Sequence, residues 1–363
     1  MADPAFARLA RRSVELIHRH QARSGAYPAC PTFPPYRFCW LRDGSFIADA
    51  MSRAGDVESA EAFFGWCCGV LRDRAAHVDS LIERHRAGET VGLDEHLHAR
   101  YTPDGSEVGR PWSNFQLDGY ATWVWALARH LDRHEREGEA FRADALLSLR
   151  YVAEFWHEPC FDWWEERLGV HTATLGAAHA ALRAGDRWLS DGREIAALIE
   201  EVVRDGCVRE GVLRGSLADD RLDASVLACG VPFGLFEPDD PLFDATVRAL
   251  EDEDIAHGGV RRYPGDSYYG GGEWLLLAAL LGSCFSAAGR EEDARAQLAW
   301  IAARATSEGE LPEQVAEHLL VPAEYGRWVE RWGPSASPLL WSHAMYMTLA
   351  LELGATMPEA IHV

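Results

Sequence analysis

Helical periodicity runs the length of the chain. Phe6, Leu9, Val14 and Ile17 recur at the spacing of one helix face, with arginine and histidine filling the other. The same reading predicts helices near residues 3–22, 43–54, 57–87, 115–132, 138–156, 170–185, 188–205, 222–229, 240–251, 272–288, 291–306 and 336–353. No block of strand alternation of useful length occurs. Between the helices lie segments rich in proline, glycine and aromatic residues, at 24–42, 101–114, 158–169, 258–272 and 307–335. Helices joined alternately by short turns and by long aromatic loops suit an all-α (α/α)6 barrel, an inner ring of six helices wrapped by six outer ones. No repeat of fixed period points to a solenoid instead. Function is expected in the long loops.

Composition narrows the chemistry. A length of 363 residues allows one or two domains, and the pattern is read as one catalytic-type domain over 1–363, because helix signals begin almost at Met1 and stop close to Val363. With 35 basic and 57 acidic residues the formal charge is −22, so the averaged surface repels phosphate backbones and anionic membranes. Nucleic acid and membrane are not expected partners. All 35 basic residues are arginine, which removes Schiff-base and phosphate-loop lysine chemistry. The N-terminus lacks the apolar run of a signal peptide, and a cytoplasmic location is expected. The eight cysteines form no Cys-x-x-Cys pair and read as buried free thiols. His130 and His134 have the i,i+4 spacing of a zinc pair, but surface histidines on an arginine-rich helix are the commoner case, and neither a metal nor a cofactor is expected.

Four segments could carry chemistry. In Glu158-Pro-Cys-Phe-Asp162-Trp163-Trp164-Glu165-Glu166-Arg-Leu-Gly169, two adjacent carboxylates follow two indoles. A carboxyl against large rings is poorly solvated, so its pKa rises and it can serve as a general acid; a solvated loop with one tucked-in tryptophan is the plain alternative. Tryptophan beside acid is also the composition of a sugar subsite. Leu311-Pro-Glu313-Gln314-Val315 is weak taken alone. Trp40-Leu-Arg42-Asp43-Gly44 places an arginine and an aspartate where they could clamp hydroxyls, or merely cap a helix. The glycine-rich loop Arg261-Arg262-Tyr263-Pro-Gly-Asp266-Ser-Tyr268-Tyr269 leads into a helix at Glu273-Trp274, and without lysine or a preceding strand it is no phosphate cradle.

In this order and at these separations the four segments, with Gln116-Leu117-Asp118-Gly-Tyr120 and Ser337-Pro338-Leu-Leu-Trp341-Ser342-His343, resemble the catalytic domain of glycoside hydrolase family 15, the glucoamylase family. The resemblance implies that Glu165 is the general acid and Glu313 the general base. It makes Arg42 and Asp43 the grip on the terminal glucose, places Arg262 and Asp266 on the arginine loop near the same subsite, and gives Glu166 a contact to the leaving sugar. Trp40, Trp112, Trp164 and Tyr268 are expected to bind substrate as well, and Trp163, Trp332 and Trp341 are further candidates for subsite walls. The family reaction is inverting, which suits carboxyls held ~6.5–9.5 Å apart around a water. It would release β-D-glucose from the non-reducing end of an α-glucan.

Neither an N-terminal β-sandwich nor a starch-binding module is expected, so a short oligosaccharide is the expected partner. The chain is most similar to catalytic-domain-only members acting on isomaltose and isomalto-oligosaccharides. Hydrolysis of α-1,4 bonds or of trehalose on the same fold is the alternative, and a sugar-binding protein without catalysis is the alternative of another class. The segment Pro111-Trp112-Ser-Asn114-Phe departs from the common family pattern, which leaves the leaving-sugar subsites open.

Overall fold

A computed structural model describes residues 4–254 and 258–356. Asp3, where the sequence places the first helix start, lies outside them. Thirteen α-helices are present among the described residues: α1 Pro4–His20, α2 Leu41–Arg53, α3 Val57–Arg72, α4 Ala75–Arg86, α5 Leu117–Arg133, α6 Arg142–Phe155, α7 Thr172–Ala184, α8 Gly192–Gly206, α9 Pro241–Asp254, α10 Leu275–Ala287, α11 Glu291–Ala302, α12 Pro322–Trp332 and α13 Leu340–Glu352. None is long and apolar enough to cross a membrane.

The packing closes a ring. Helix α2 packs on α5, α5 on α7, α7 on the 3-10 segment Ala224–Cys229, that segment on α10, α10 on α13, and α13 again on α2. Outside this ring α1 packs on α13, α3 on α2, α6 on α5, α8 on α7 and α11 on α10, while α9 lies against the short strand Val212–Leu213. Outer and inner elements alternate along the chain, which is the (α/α)6 barrel. The inner helices are buried all round rather than on one stripe: α10 from Leu275 through Phe285 and α13 from Leu340 through Ala350 have no exposed residue. Gly44 marks how closely α2 and α3 approach, because a Cβ there would lie 2.3 Å from the Phe63 ring.

Three expectations change. The helix expected over 57–87 is two helices, broken at Asp73-Arg74. There the Arg74 side chain turns back to donate to the Val70 and Gly105 carbonyls at 2.8 and 3.1 Å and stacks on Tyr101, so its backbone leaves the helix. The helix expected over 222–229 is a 3-10 segment. It is pinned at its start by the Asp223 carboxylate, which accepts from Ser225 N–H at 3.0 Å, and Pro232 follows three residues after its end, leaving too little chain for a regular α-helix. The expected loop 307–335 contains α12, which Pro322 opens from the first helical turn.

The connections from inner to outer helices are short, whereas those from outer to inner are long and all open at one end of the ring. Antiparallel two-residue pairs brace these long loops: β1 Cys39–Trp40 with β2 Arg100–Tyr101 and β7 Glu273–Trp274 with β8 Gln314–Val315 join one loop to another, while β3 Cys160–Phe161 with β4 Leu168–Gly169 and β5 Val208–Arg209 with β6 Val212–Leu213 are hairpins within a loop. The inner helices therefore present their N-termini, the positive ends of their dipoles, to the loop end.

Candidate active site

The long loops converge on a pocket of about 310 Å³. Ten of the eleven residues singled out in the sequence line it: Trp40, Arg42, Asp43, Trp112, Trp164, Glu165, Glu166, Arg262, Tyr268 and Glu313. Asp266 does not. It is fully buried behind Arg262, holding that guanidinium through both oxygens at 2.6 and 2.8 Å and accepting from Tyr268 N–H at 2.9 Å. It serves Arg262 rather than the pocket, as a buried cation requires.

The floor is the start of α2. Arg42, 4% exposed, donates to Gln116 Oε1 at 2.9 Å and Asp118 Oδ2 at 3.1 Å, so α5 fixes its fork. Asp43 beside it has its carboxyl pushed up to about 7, because burial outweighs the pull of Arg42 and the charge of Glu165 adds to the rise.

Glu165 sits at the tip of the β3–β4 hairpin with φ +63°, a left-handed conformation that costs a non-glycine residue energy. Asp162 holds this turn, its Oδ1 accepting from the N–H groups of Glu166 at 2.8 Å and Arg167 at 3.2 Å, while Ser113 Oγ donates to the Glu165 carbonyl at 2.8 Å. The carboxylate itself accepts from Trp40 Nε1 at 2.6 Å and Gln116 Nε2 at 2.8 Å on Oε1, and from Trp112 Nε1 at 2.9 Å on Oε2. The indoles that meet Glu165 are thus distant in sequence, and they meet it with their N–H groups. Trp163 and Trp164, adjacent in sequence, turn elsewhere: Trp164 donates to Asp223, and Trp163 packs with Phe46 and Trp341. The apolar cover expected around Glu165 from its sequence neighbours is absent, and its side chain keeps 17% exposure.

Glu313 is the dry carboxyl. It is delivered by β8, and burial pushes it up to about 8 against the pull of Arg262 and of a hydrogen bond with Tyr36, with Asp43 adding to the rise. The Tyr36 hydroxyl also lies 2.8 Å from that of Tyr268. Glu166 is held away from Glu165 by Arg262 at 2.8 Å and by the Tyr263 hydroxyl. Arg262 is boxed by the rings of Trp164, Tyr263, Tyr268 and Trp274, each 5.1 to 5.3 Å from its Cζ.

Sequence reasoning missed Tyr36, Gln116 as a donor to Glu165, Trp274, and the α12 residues Trp328 and Arg331. The α12 face had a legible signal in Tyr325, Trp328, Val329 and Trp332, which repeat at helical spacing after Pro322. Tyr36 had none, since Pro34-Pro35-Tyr36 reads only as a turn. His130 is buried, not on the surface, with Ser52 Oγ lying between its Nδ1 and His134 Nε2 at 2.9 and 3.1 Å. Two groups among the described residues could hold a cation, His85 with His157 and Glu158, and Glu273 with Glu317 and His318. Neither lines the pocket.

Residues 8–308 match the family described as glycosyl hydrolases family 15, and Glu313 falls just beyond the matched stretch. The chain is 45% identical over 97% of its length, and 94% of the relative's, to "Isomaltose glucohydrolase" of Kribbella flavida. A solved structure described as "Glycosidase Wild Type" superposes with a TM-score of 0.95 at 44% identity, covering 97% of this chain and 98% of that one. A bacterial glucoamylase complexed with acarbose shares the fold at a TM-score of 0.75 and 20% identity, covering 96% of this chain and 56% of that one. With a matched stretch spanning most of the ring and a relative aligned almost end to end, the chain belongs to the glycosyl hydrolases of family 15.

Proposed function

We propose that the protein is an exo-acting, inverting α-glucosidase that releases β-D-glucose from the non-reducing end of isomaltose and short isomalto-oligosaccharides, with Glu165 as general acid and Glu313 as general base. The observation that carries this reading is that both carboxyls open into one small pocket whose floor is the Arg42–Asp43 pair. At about 310 Å³ the pocket is at the low end of the ~300–1,000 Å³ usual for ligand sites, which favours a disaccharide over a polymer. The isomaltose assignment follows the relative's name.

Glucose seated on Arg42 and Asp43 brings the glycosidic oxygen to Glu165 and a water to Glu313. As the bond from C1 to that oxygen breaks, the proton of Glu165 passes to the leaving oxygen. The water attacks C1 from the opposite face while Glu313 takes its proton. In the free protein burial favours the protonated form of Glu313, and a bound water donating to its ionised carboxylate offsets that burial when substrate is seated. Trp40, Gln116 and Trp112 then stabilise Glu165 once it has lost its proton.

A cytoplasmic location is part of the proposal, supported by eight cysteines that are all free and buried. A charge of −22 supports an uncharged sugar, not nucleic acid, as the partner.

The test is glucose release from isomaltose, maltose and trehalose, with the anomer followed by NMR and Glu165→Gln and Glu313→Gln run alongside. β-Glucose from isomaltose, lost by ~10²–10⁴ in each variant, is the expected result. Trehalose or maltose as the best substrate would overturn the linkage, and near-normal rates in both variants would overturn the roles.

A further inference from the structure

Exposure grades the pocket by depth. Arg42, Asp43 and Glu313 are almost fully covered, the Glu165 and Glu166 side chains keep 17% and 34% of their surface, and Trp332 keeps 43%. A sugar on the floor, with its scissile oxygen at Glu165, must therefore point its second unit outward, toward the rim. Helix α12 forms part of that rim, placing Trp328, Arg331 and Trp332 on one face through their i, i+3, i+4 spacing and turning all three into the pocket lining.

Helix α12 buries none of its residues in the core, yet it is tied down at both ends. Val321 N–H donates to the Gly270 carbonyl at 2.9 Å, and the Tyr269 hydroxyl donates to the Gly333 carbonyl at 3.1 Å. In its middle Trp328 packs on Tyr268 and Tyr269, with ring centroids at 4.8 and 5.8 Å. The helix is thus mounted on the turn that carries Tyr268, and Trp328 spends its ring on that mounting. Trp332 does not: its indole, with the Arg331 guanidinium over it at 4.9 Å, is a large apolar face left at the rim of the pocket.

We propose that Trp332 and Arg331 form the wall for the second sugar, the indole stacking on its pyranose face and the guanidinium donating to its hydroxyls. Resting on the α-glucosidase reading, this makes α12 the element that sets affinity for the leaving unit, while the floor sets affinity for the terminal glucose. Aromatic stacking of this kind is worth roughly tenfold in affinity.

The experiment compares wild type, Trp332→Ala, Trp332→Phe and Arg331→Ala in kcat and KM for isomaltose, with the Ki of a glucose-sized iminosugar that fills only the floor. The expected result is a KM raised roughly tenfold in Trp332→Ala and partly restored in Trp332→Phe, a smaller rise in Arg331→Ala, kcat within about threefold, and an unchanged iminosugar Ki. A KM within twofold of wild type in Trp332→Ala overturns the inference alone, and so does a Ki that rises in step with KM. If wild type releases no glucose from any α-glucoside, the functional reading itself falls.

Discussion

Replacing Glu313 by glutamine should stabilise the protein, and by more at high pH than at low. Glutamine keeps the shape of the side chain and removes only its charge. In the folded protein burial moves the carboxyl from 4.5 to about 8. Below 4.5 the folded and unfolded chains both hold the proton, and the site costs nothing. Between 4.5 and about 8 the unfolded chain ionises while the folded one keeps its proton, so stability falls as pH rises; above that the loss is constant. At about 1.4 kcal/mol per tenfold, the loss is on the order of 1 kcal/mol near pH 5 and about 4–5 kcal/mol near pH 8. A chain of 363 residues has an unfolding entropy of about 0.75 kcal/mol per degree, so the variant should melt about 1 °C above wild type near pH 5 and roughly 6 °C above it near pH 8. Thermal melts of both proteins at four pH values between these limits decide the matter. A difference in Tm that is flat with pH, or larger at the acid end, would refute the reasoning that burial of Glu313 stores this energy.

Trp40→Phe keeps the ring and removes the N–H that lies 2.6 Å from Glu165; a hydrogen bond to an ionised group is worth ~1.5–3 kcal/mol, so steady-state kinetics should show kcat/KM for isomaltose lower by roughly 10–100-fold. Asp162→Ala releases the two N–H groups that hold Glu165 in its left-handed turn and should lower kcat about tenfold with KM little changed. Asp162→Asn, which retains an acceptor oxygen, should recover most of that loss, and failure of both effects would show that the turn holds itself. Asp266→Ala strips the buried Arg262 guanidinium of its two-pronged partner and should cost ~3–5 kcal/mol in chemical denaturation, with Arg262→Met/Asp266→Ala less destabilised than the single change.

How much of the site was legible depended on whether its chemistry was local. Arg42 with Asp43, Glu165 with Glu166, and Arg262 stand in short runs whose rare combination of residue types is visible from sequence. The donors to Glu165 were not visible as a set, because Trp40 comes from one loop and Trp112 and Gln116 from another, and they meet only when α2 and α5 pack. The same separation explains Asp266. Its spacing from Arg262 could be read, but not the fact that the arginine would consume both of its oxygens.

The sequence alone determined the helical class, the alternation of outer and inner helices and the loops that bear the site, since periodicity and loop composition are properties of neighbouring residues. It missed the break at Arg74 and took the 3-10 segment Ala224–Cys229 for a helix of the ordinary kind, because there a side chain or a cap decides the backbone. It also passed over α12, which is anchored on a turn some fifty residues earlier. Tertiary structure decided the electrostatics. Which glutamate is dry, which is wired to N–H donors and which face of Trp332 stays open depend on distant segments excluding or admitting water, and burial of that kind is settled only when the ring closes.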